Sequence, residues 1–264
     1  HSKPTTQTIM RDVLIALAPA MIMAVYVFGL RALTVTAVSV LACYLFEKLY
    51  CKMTGMDDKT YDLSACVTGV LLAFVCPVTI PYWCIILGDF FAIVVVKQLF
   101  GGVGKNFLNP ALAARAFMLS WAGEMTTWVG THSRAPLFGA VDAVTYPTPM
   151  SFLHQNDLAG LQEMYDLPDM LVGFIGGSLG EVSALLLILG GVYMVARKII
   201  TWYIPLSYIG TVAVLTFLFP CGNDPLTWML YHVLGGGLLL GAFFMATDYV
   251  TSPVTKLGQI VYGI

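Results

Sequence analysis

The sequence predicts an all-α membrane protein: a polytopic transmembrane helical bundle with short and broken helices and one long extracytoplasmic loop. Three observations carry this prediction. Mean hydropathy is +0.82. Only 11% of the 264 residues are charged, where soluble domains carry about 25%. The apolar residues gather in runs of bilayer-crossing length joined by short turns, and a single polar connection, Trp121–Asp169, is much longer than the rest. A soluble enzyme core is excluded, and no basic patch calls for nucleic acid.

A span needs about 20 apolar residues. Val13–Gly29 and Ala32–Phe46 come first, separated by Leu30-Arg31. The first run is too long for a signal peptide and has no small-residue cleavage site after it. A charged turn from Glu47 to Asp62 follows. Leu63–Cys76 is short for a crossing and ends at Pro77-Val78-Thr79-Ile80-Pro81, after which Tyr82–Val96 continues. Such Pro-bracketed breaks often line a site rather than lipid. Gly101-Gly102-Val103-Gly104-Lys105-Asn106 makes a corner, and Asn109-Pro110 opens a helix to about Ala122, with proline suited to the first turn. Spans are expected at Met170–Ala196, Ile199–Phe219 and Leu226–Ala246. A second corner, Thr247–Pro253, repeats the pattern of apolar helix, polar turn and Asn/Ser-Pro, a faint internal repetition. The count is about eight segments in a single transmembrane domain, 1–264. The chain opens on His1 and stops at Ile264 inside a new apolar run, so further residues, including C-terminal helices, are expected.

Eight segments alternate sides. One side collects Lys3, Arg11, Lys48, Lys52, Lys59, Lys97, Lys105, Arg197, Lys198 and Lys256; the other has Arg31 and Arg134. The positive-inside rule then makes the N-terminus cytoplasmic and the 121–169 loop extracytoplasmic. The five tryptophans all fall near predicted segment ends, where indole rings favour the headgroup region.

Three charges fall inside segments. A centred charge costs roughly 2.5–3.5 kcal/mol on insertion scales. Asp89 and Glu181 read equally as an ion path or as structural pairs; Arg115 reads as a snorkelling residue near the cytoplasmic end. The six cysteines form no C-x-x-C pair, so no zinc or iron–sulfur site is expected from this chain alone. His132, His154 and His232 are isolated.

In the long connection, Asp142-Ala143-Val144-Thr145-Tyr146-Pro147-Thr148-Pro149-Met150 is stiffened by its prolines. Thr148 is presented there for chemistry, where a plain surface turn is the alternative.

Tyr61–Ala65, Lys97–Arg115, Gly176–Ala184 and Met245–Pro253 resemble the RnfD/NqrB membrane-subunit family, and the resemblance covers essentially the whole chain. It implies about ten transmembrane helices and a place in a redox-driven ion pump. Rnf-type complexes pass electrons between ferredoxin and NAD, coupled to sodium or proton transport. Nqr relatives reduce quinone with NADH. The compact length is closer to RnfD. The resemblance also implies FMN joined to a threonine through its phosphate, and non-covalent riboflavin. The attachment pattern matches at Asp142, Thr145 and Thr148, with Thr148 the acceptor; Tyr146 and Pro147 stand where small residues are usual. Asn106, Asn109, Asp248 and Ser252, in the two corners, are candidates for a second flavin or an ion exit, or are simply close-packed helix corners. Implied partners are the other membrane and peripheral subunits of an Rnf-type complex, including a second covalent-FMN subunit and iron–sulfur subunits, together with membrane lipid. The implied location is a bacterial or archaeal cell membrane. A solute channel and a purely scaffolding subunit remain the competing readings.

Overall fold

The computed structural model describes residues 5–56, 60–131, 136–137, 145–221 and 224–264, and every regular element among them is helical. Helix α1 (Thr6–Phe28) starts at Thr5, whose hydroxyl accepts from Thr8 N at 3.3 Å, a side-chain cap on an otherwise unpaired donor. It ends at Gly29, where φ is 83°, and α2 (Leu30–Thr54) begins at the next residue. These two helices are long and apolar enough to cross a membrane. Both outrun the apolar stretches predicted for them, because polar turns at their far ends stay helical. Near the start of α1, Asp12 Oδ2 accepts from Arg197 at 2.9 Å, which ties this helix to a distant part of the chain.

The Pro-bracketed break is real. Asp62 Oδ1 accepts from Ser64 N at 2.8 Å and launches α3 (Ser64–Phe74). The chain unwinds from Val75 to Pro81 and resumes as α4 (Tyr82–Phe90), which runs on as a π-helical stretch, Phe91–Gln98. Arg31, at the start of α2 and 1% exposed, holds the unwound carbonyls: Nε donates to Val78 O at 2.9 Å and an Nη to Ile80 O at 3.3 Å. Helices α2 and α3 touch so closely at Gly69 that a Cβ there would lie 2.8 Å from Val40 Cα.

After the first corner come α5 (Pro110–Met118), a 3₁₀ turn and α6 (Ala122–Met125). The long connection carries its own short helices, α7 (Pro149–His154) and α8 (Leu158–Met164). Leu153, Leu161 and Tyr165 from it share a small core with Met170, Trp228 and Tyr231.

Two predicted spans are corrected. Met170–Ala196 is not one helix: α9 (Leu167–Val172) stops at Gly173, with φ 122°, and α10 (Ala184–Ala196) starts only at the Ser183 cap. The glycines in between let this segment lie against the first break. Leu179 N donates to Cys76 O at 3.0 Å and Gly180 N to Phe74 O at 2.8 Å. Backbone groups orphaned by one unwound segment are thus satisfied by the other. After α11 (Tyr203–Leu218), the expected span Leu226–Ala246 is also broken. Helix α12 (Pro225–Leu234) gives way at Gly235–Gly237 to α13 (Leu238–Leu240) and a π-helical stretch, Gly241–Met245, bent by 60°. Gly236, with φ 61°, supplies the left-handed residue of that bend. Helix α14 (Lys256–Gly263) follows the second corner. Both corners thus follow a π-helical stretch, which gives the faint repetition a structural counterpart.

Candidate functional site

Thr148 caps the start of α7 with its backbone but not with its side chain. Its carbonyl accepts from Ser151 N at 2.9 Å and Ser151 Oγ at 2.7 Å, and its hydroxyl makes no hydrogen bond among the described residues. The residue is half-buried and its neighbour Pro149 is buried. The approach to it is fixed at two points. Tyr146 N donates to Trp128 O at 2.9 Å, and Tyr165 Oη donates to Pro147 O at 2.8 Å. Tyr165 is itself held, since its carbonyl accepts from Tyr231 Oη at 2.7 Å. Burial pushes the Tyr165 phenol up to about 12, so it stays a donor throughout the neutral range. A hydroxyl with no hydrogen-bond partner among the described residues, carried on a braced backbone, suits a phosphoester acceptor. Thr145, three residues earlier, is exposed. Asp142 lies outside the described residues, as do His132 and Arg134.

Helix α7 then leads toward the break in α12. The Met150 side chain comes within 3.1 Å of where a Gly236 Cβ would stand. On the next residue, Glu181 Oε1 is 2.9 Å from the corresponding point of Gly237. Glu181 belongs to the unwound 173–183 segment and faces Arg115 of α5 at 4.0 Å. Arg115 therefore has a carboxylate partner, not only a route to the surface. The Thr148 helix, two helix breaks and this ion pair form one continuous neighbourhood.

The two corners also meet. Asn109 Oδ1 caps α5, accepting from Ala111 N at 3.0 Å, while its Nδ2 donates to Met245 O at 3.3 Å, the end of the second π-helical stretch. Between the corners lies a cavity of about 110 Å³ whose mainly apolar lining includes Asn106, Asn109, Thr247 and Asp248. The structure thus brings together three of the four corner residues. Ser252 lines a neighbouring cavity with Thr247 and Tyr249. Burial holds the Asp248 carboxyl above the usual carboxylate range, against weak support from Val250 N–H and the Thr251 hydroxyl. The cavity is smaller than the roughly 300–1,000 Å³ of typical ligand sites, so a whole flavin needs it to widen.

A buried polar cluster beside this cavity is absent from the sequence-based expectations. Lys97 Nζ donates to Glu47 Oε2 at 2.9 Å and to Ser64 Oγ at 2.7 Å, and Gln98 Nε2 donates to Glu47 Oε1 at 2.7 Å. The charge count places Lys97 among the cytoplasmic basic residues, yet its side chain is buried. Its position directly after the apolar run Phe90–Val96 is the available signal. Asp89, the other intramembrane candidate, lies apart from Glu181, on α4 against Ser39 and Cys43 of α2.

The NQR2, RnfD, RnfE family matches residues 1–264. The D subunit of the Na⁺-translocating ferredoxin:NAD⁺ oxidoreductase complex of Acetobacterium woodii is 46% identical over 265 residues, covering 100% of this chain and 79% of the relative. The D subunit of the proton-translocating ferredoxin:NAD⁺ oxidoreductase complex of Clostridium ljungdahlii is 40% identical, covering 97% and 78%. The D subunit of the ion-translocating oxidoreductase complex of Rhodobacter capsulatus is 36% identical, covering 100% and 80%.

Proposed function

The chain belongs to the NQR2, RnfD, RnfE family, and from that membership we propose that it is the RnfD subunit of an ion-translocating ferredoxin:NAD⁺ oxidoreductase, bearing FMN as a phosphoester on Thr148. The names of the relatives support the first half of this reading. The observation that carries the second half is the unengaged Thr148 hydroxyl on a backbone braced by Tyr165, Trp128 and Ser151.

When bound, FMN supplies electron transfer through its ring, which a phosphate linkage leaves untouched. The chain's task is then to fix where that ring can go. Tyr165 holds the Pro147 carbonyl and Tyr231 in turn holds the Tyr165 carbonyl, so the attachment point does not drift with the rest of the connection. Pro149 is buried and opens the first turn of α7. Asp142 and Thr145 complete the sequence pattern that a flavin transferase would read. The corner residues Asn106, Asn109, Asp248 and Ser252 remain candidates for a second flavin or an ion exit, and the cavity of about 110 Å³ between the corners is too small to hold a whole flavin.

In this reading the protein is a single, multi-pass domain of a bacterial cell membrane with about eight segments. Its N-terminus is cytoplasmic and the Thr148 loop extracytoplasmic, which rests on the ten-to-two distribution of basic residues and the positive-inside rule. It works with the other subunits of an Rnf-type complex, including iron–sulfur subunits and a second covalent-FMN subunit. Asp89 and Glu181 support ion coupling. Of the relatives named above, one is named as translocating sodium and another as translocating protons.

The test is in-gel flavin fluorescence of denatured protein made together with its flavin transferase. A fluorescent band in the wild type that is lost in Thr148→Ala supports the reading. A non-fluorescent wild-type band contradicts it.

A further inference from the structure

Asp89 lies at the crossing of α2, α3 and α4 and is 0% exposed, as are Ser39 and Cys43 beside it. Ser39 Oγ is 2.7 Å from Asp89 Oδ1 and 2.8 Å from Gly69 O. Both separations are hydrogen-bond distances. A serine hydroxyl, however, has one proton to donate. With an ionised Asp89, Ser39 could satisfy one contact, and the other would be two buried oxygens in contact with no proton between them. The proton count closes when Asp89 brings the second one. Its Oδ1–H donates to Ser39 Oγ, and Ser39 Oγ–H donates to Gly69 O.

The surroundings agree. Among the described residues no ion pair compensates a charge at Asp89; the pairs are Glu47–Lys97, Glu181–Arg115 and Asp12–Arg197. The second oxygen, Oδ2, is buried without a hydrogen-bond partner among those residues. An unpartnered oxygen is far cheaper to bury on a neutral acid than on a carboxylate. The remaining neighbour is the Cys43 thiol, with Sγ 3.2 Å from Oδ1. A thiol is a poor ligand for a hard cation such as sodium, so this pocket suits a proton better. The close approach of α3 to α2 at Gly69 places Ser39 between Asp89 and the Gly69 carbonyl.

We propose that Asp89 is a proton-binding site within the bundle, standing as a neutral carboxylic acid in the chain Asp89–Ser39–Gly69. This deepens the ion-path reading of Asp89 and is independent of flavin attachment. It gives the bundle one group that holds a proton away from water.

The experiment is infrared spectroscopy of the purified complex containing this subunit at neutral pH, with and without ¹³C-labelled aspartate. A protonated-carboxyl C=O band that shifts on labelling and is absent from Asp89→Asn is the expected result. Ser39→Ala should move that band, since the acceptor of the Asp89 proton is gone, and added sodium should leave it in place. Asp89→Asn should assemble normally, because a neutral isostere replaces a neutral group. No aspartic C=O band, or one that persists in Asp89→Asn, overturns the proposal; so does a band displaced by sodium. Ion transport by Asp89→Asn separates the two claims. Full transport with the band lost refutes the ion path but keeps the proton site. Lost transport in a protein whose wild type shows no band does the reverse.

Discussion

Lys97 Nζ lies 2.9 Å from Glu47 Oε1, and the two side chains are 3% and 2% exposed. This pair joins the end of the π-helical stretch to α2 directly beside the corner cavity. Ser64 accepts a second hydrogen bond from Lys97, and Gln98 donates one to Glu47. Removing one partner leaves an uncompensated buried charge, which typically costs 3–5 kcal/mol, whereas apolar replacement of both is often neutral. Lys97→Met should therefore destabilise the purified protein by roughly 3–5 kcal/mol, seen as a large fall in melting temperature. Lys97→Met with Glu47→Leu should recover most of it. A single mutant as stable as the wild type would show the pair to be energetically idle.

A Cβ on Gly180 would stand 2.6 Å from Phe74 Cβ, and Gly180 N donates to Phe74 O. Gly180→Ala should thus push the two unwound segments apart. Overpacking of this kind costs about 1–3 kcal/mol. Hydrogen exchange should report faster exchange at Leu179 and Gly180 than in α10, which the substitution does not touch. Unchanged protection would show that the two breaks do not depend on each other.

Much of the chain's layout is legible in its residues. The Pro77–Pro81 break and the Asn109-Pro110 helix start follow from proline and the hydropathy pattern, the first corner from its glycines and the second from its polar residues and Ser252-Pro253. The two later breaks are not legible, because Met170–Ala196 and Leu226–Ala246 are apolar enough to read as continuous spans. Their glycines are visible, but only the partner segment decides whether a glycine packs a helix or ends one. Arg31 and Lys97 mislead for a related reason. Sequence position places both at segment ends, while burial depends on what folds over them. At the candidate site, Thr148 stands out from the prolines and the family pattern; the brace from Tyr165, eighteen residues from Pro147, is a tertiary contact no local pattern announces.

Tyr165→Phe removes the hydroxyl that holds Pro147 O and leaves the ring in its core. The expected loss is about 0.5–1.5 kcal/mol, so the protein should still fold. Flavin incorporation at Thr148 should fall, because the acceptor loses one of its fixed points. Full incorporation in Tyr165→Phe would show that the brace does not position Thr148.

Asp248 gives a pH dependence. Burial raises its folded pKa above the unfolded value, which is about 3.9. The folded chain then holds a proton over a range where the unfolded chain has lost it. Stability contributed by this group is therefore present at low pH and is lost as pH rises through the folded value. Asp248→Asn should raise the melting temperature near neutral pH and give no advantage below pH of about 4, where both states are protonated. A mutant that is less stable at neutral pH would mean that the ionised carboxylate is the favoured form.

The central claim is the attachment point, and peptide mass mapping tests it most directly. Protein made with its flavin transferase is digested, and the peptide containing Thr145 and Thr148 is fragmented. The mass of FMN, less water, is expected on Thr148. An unmodified Thr148, or an adduct on Thr145 instead, would contradict the account.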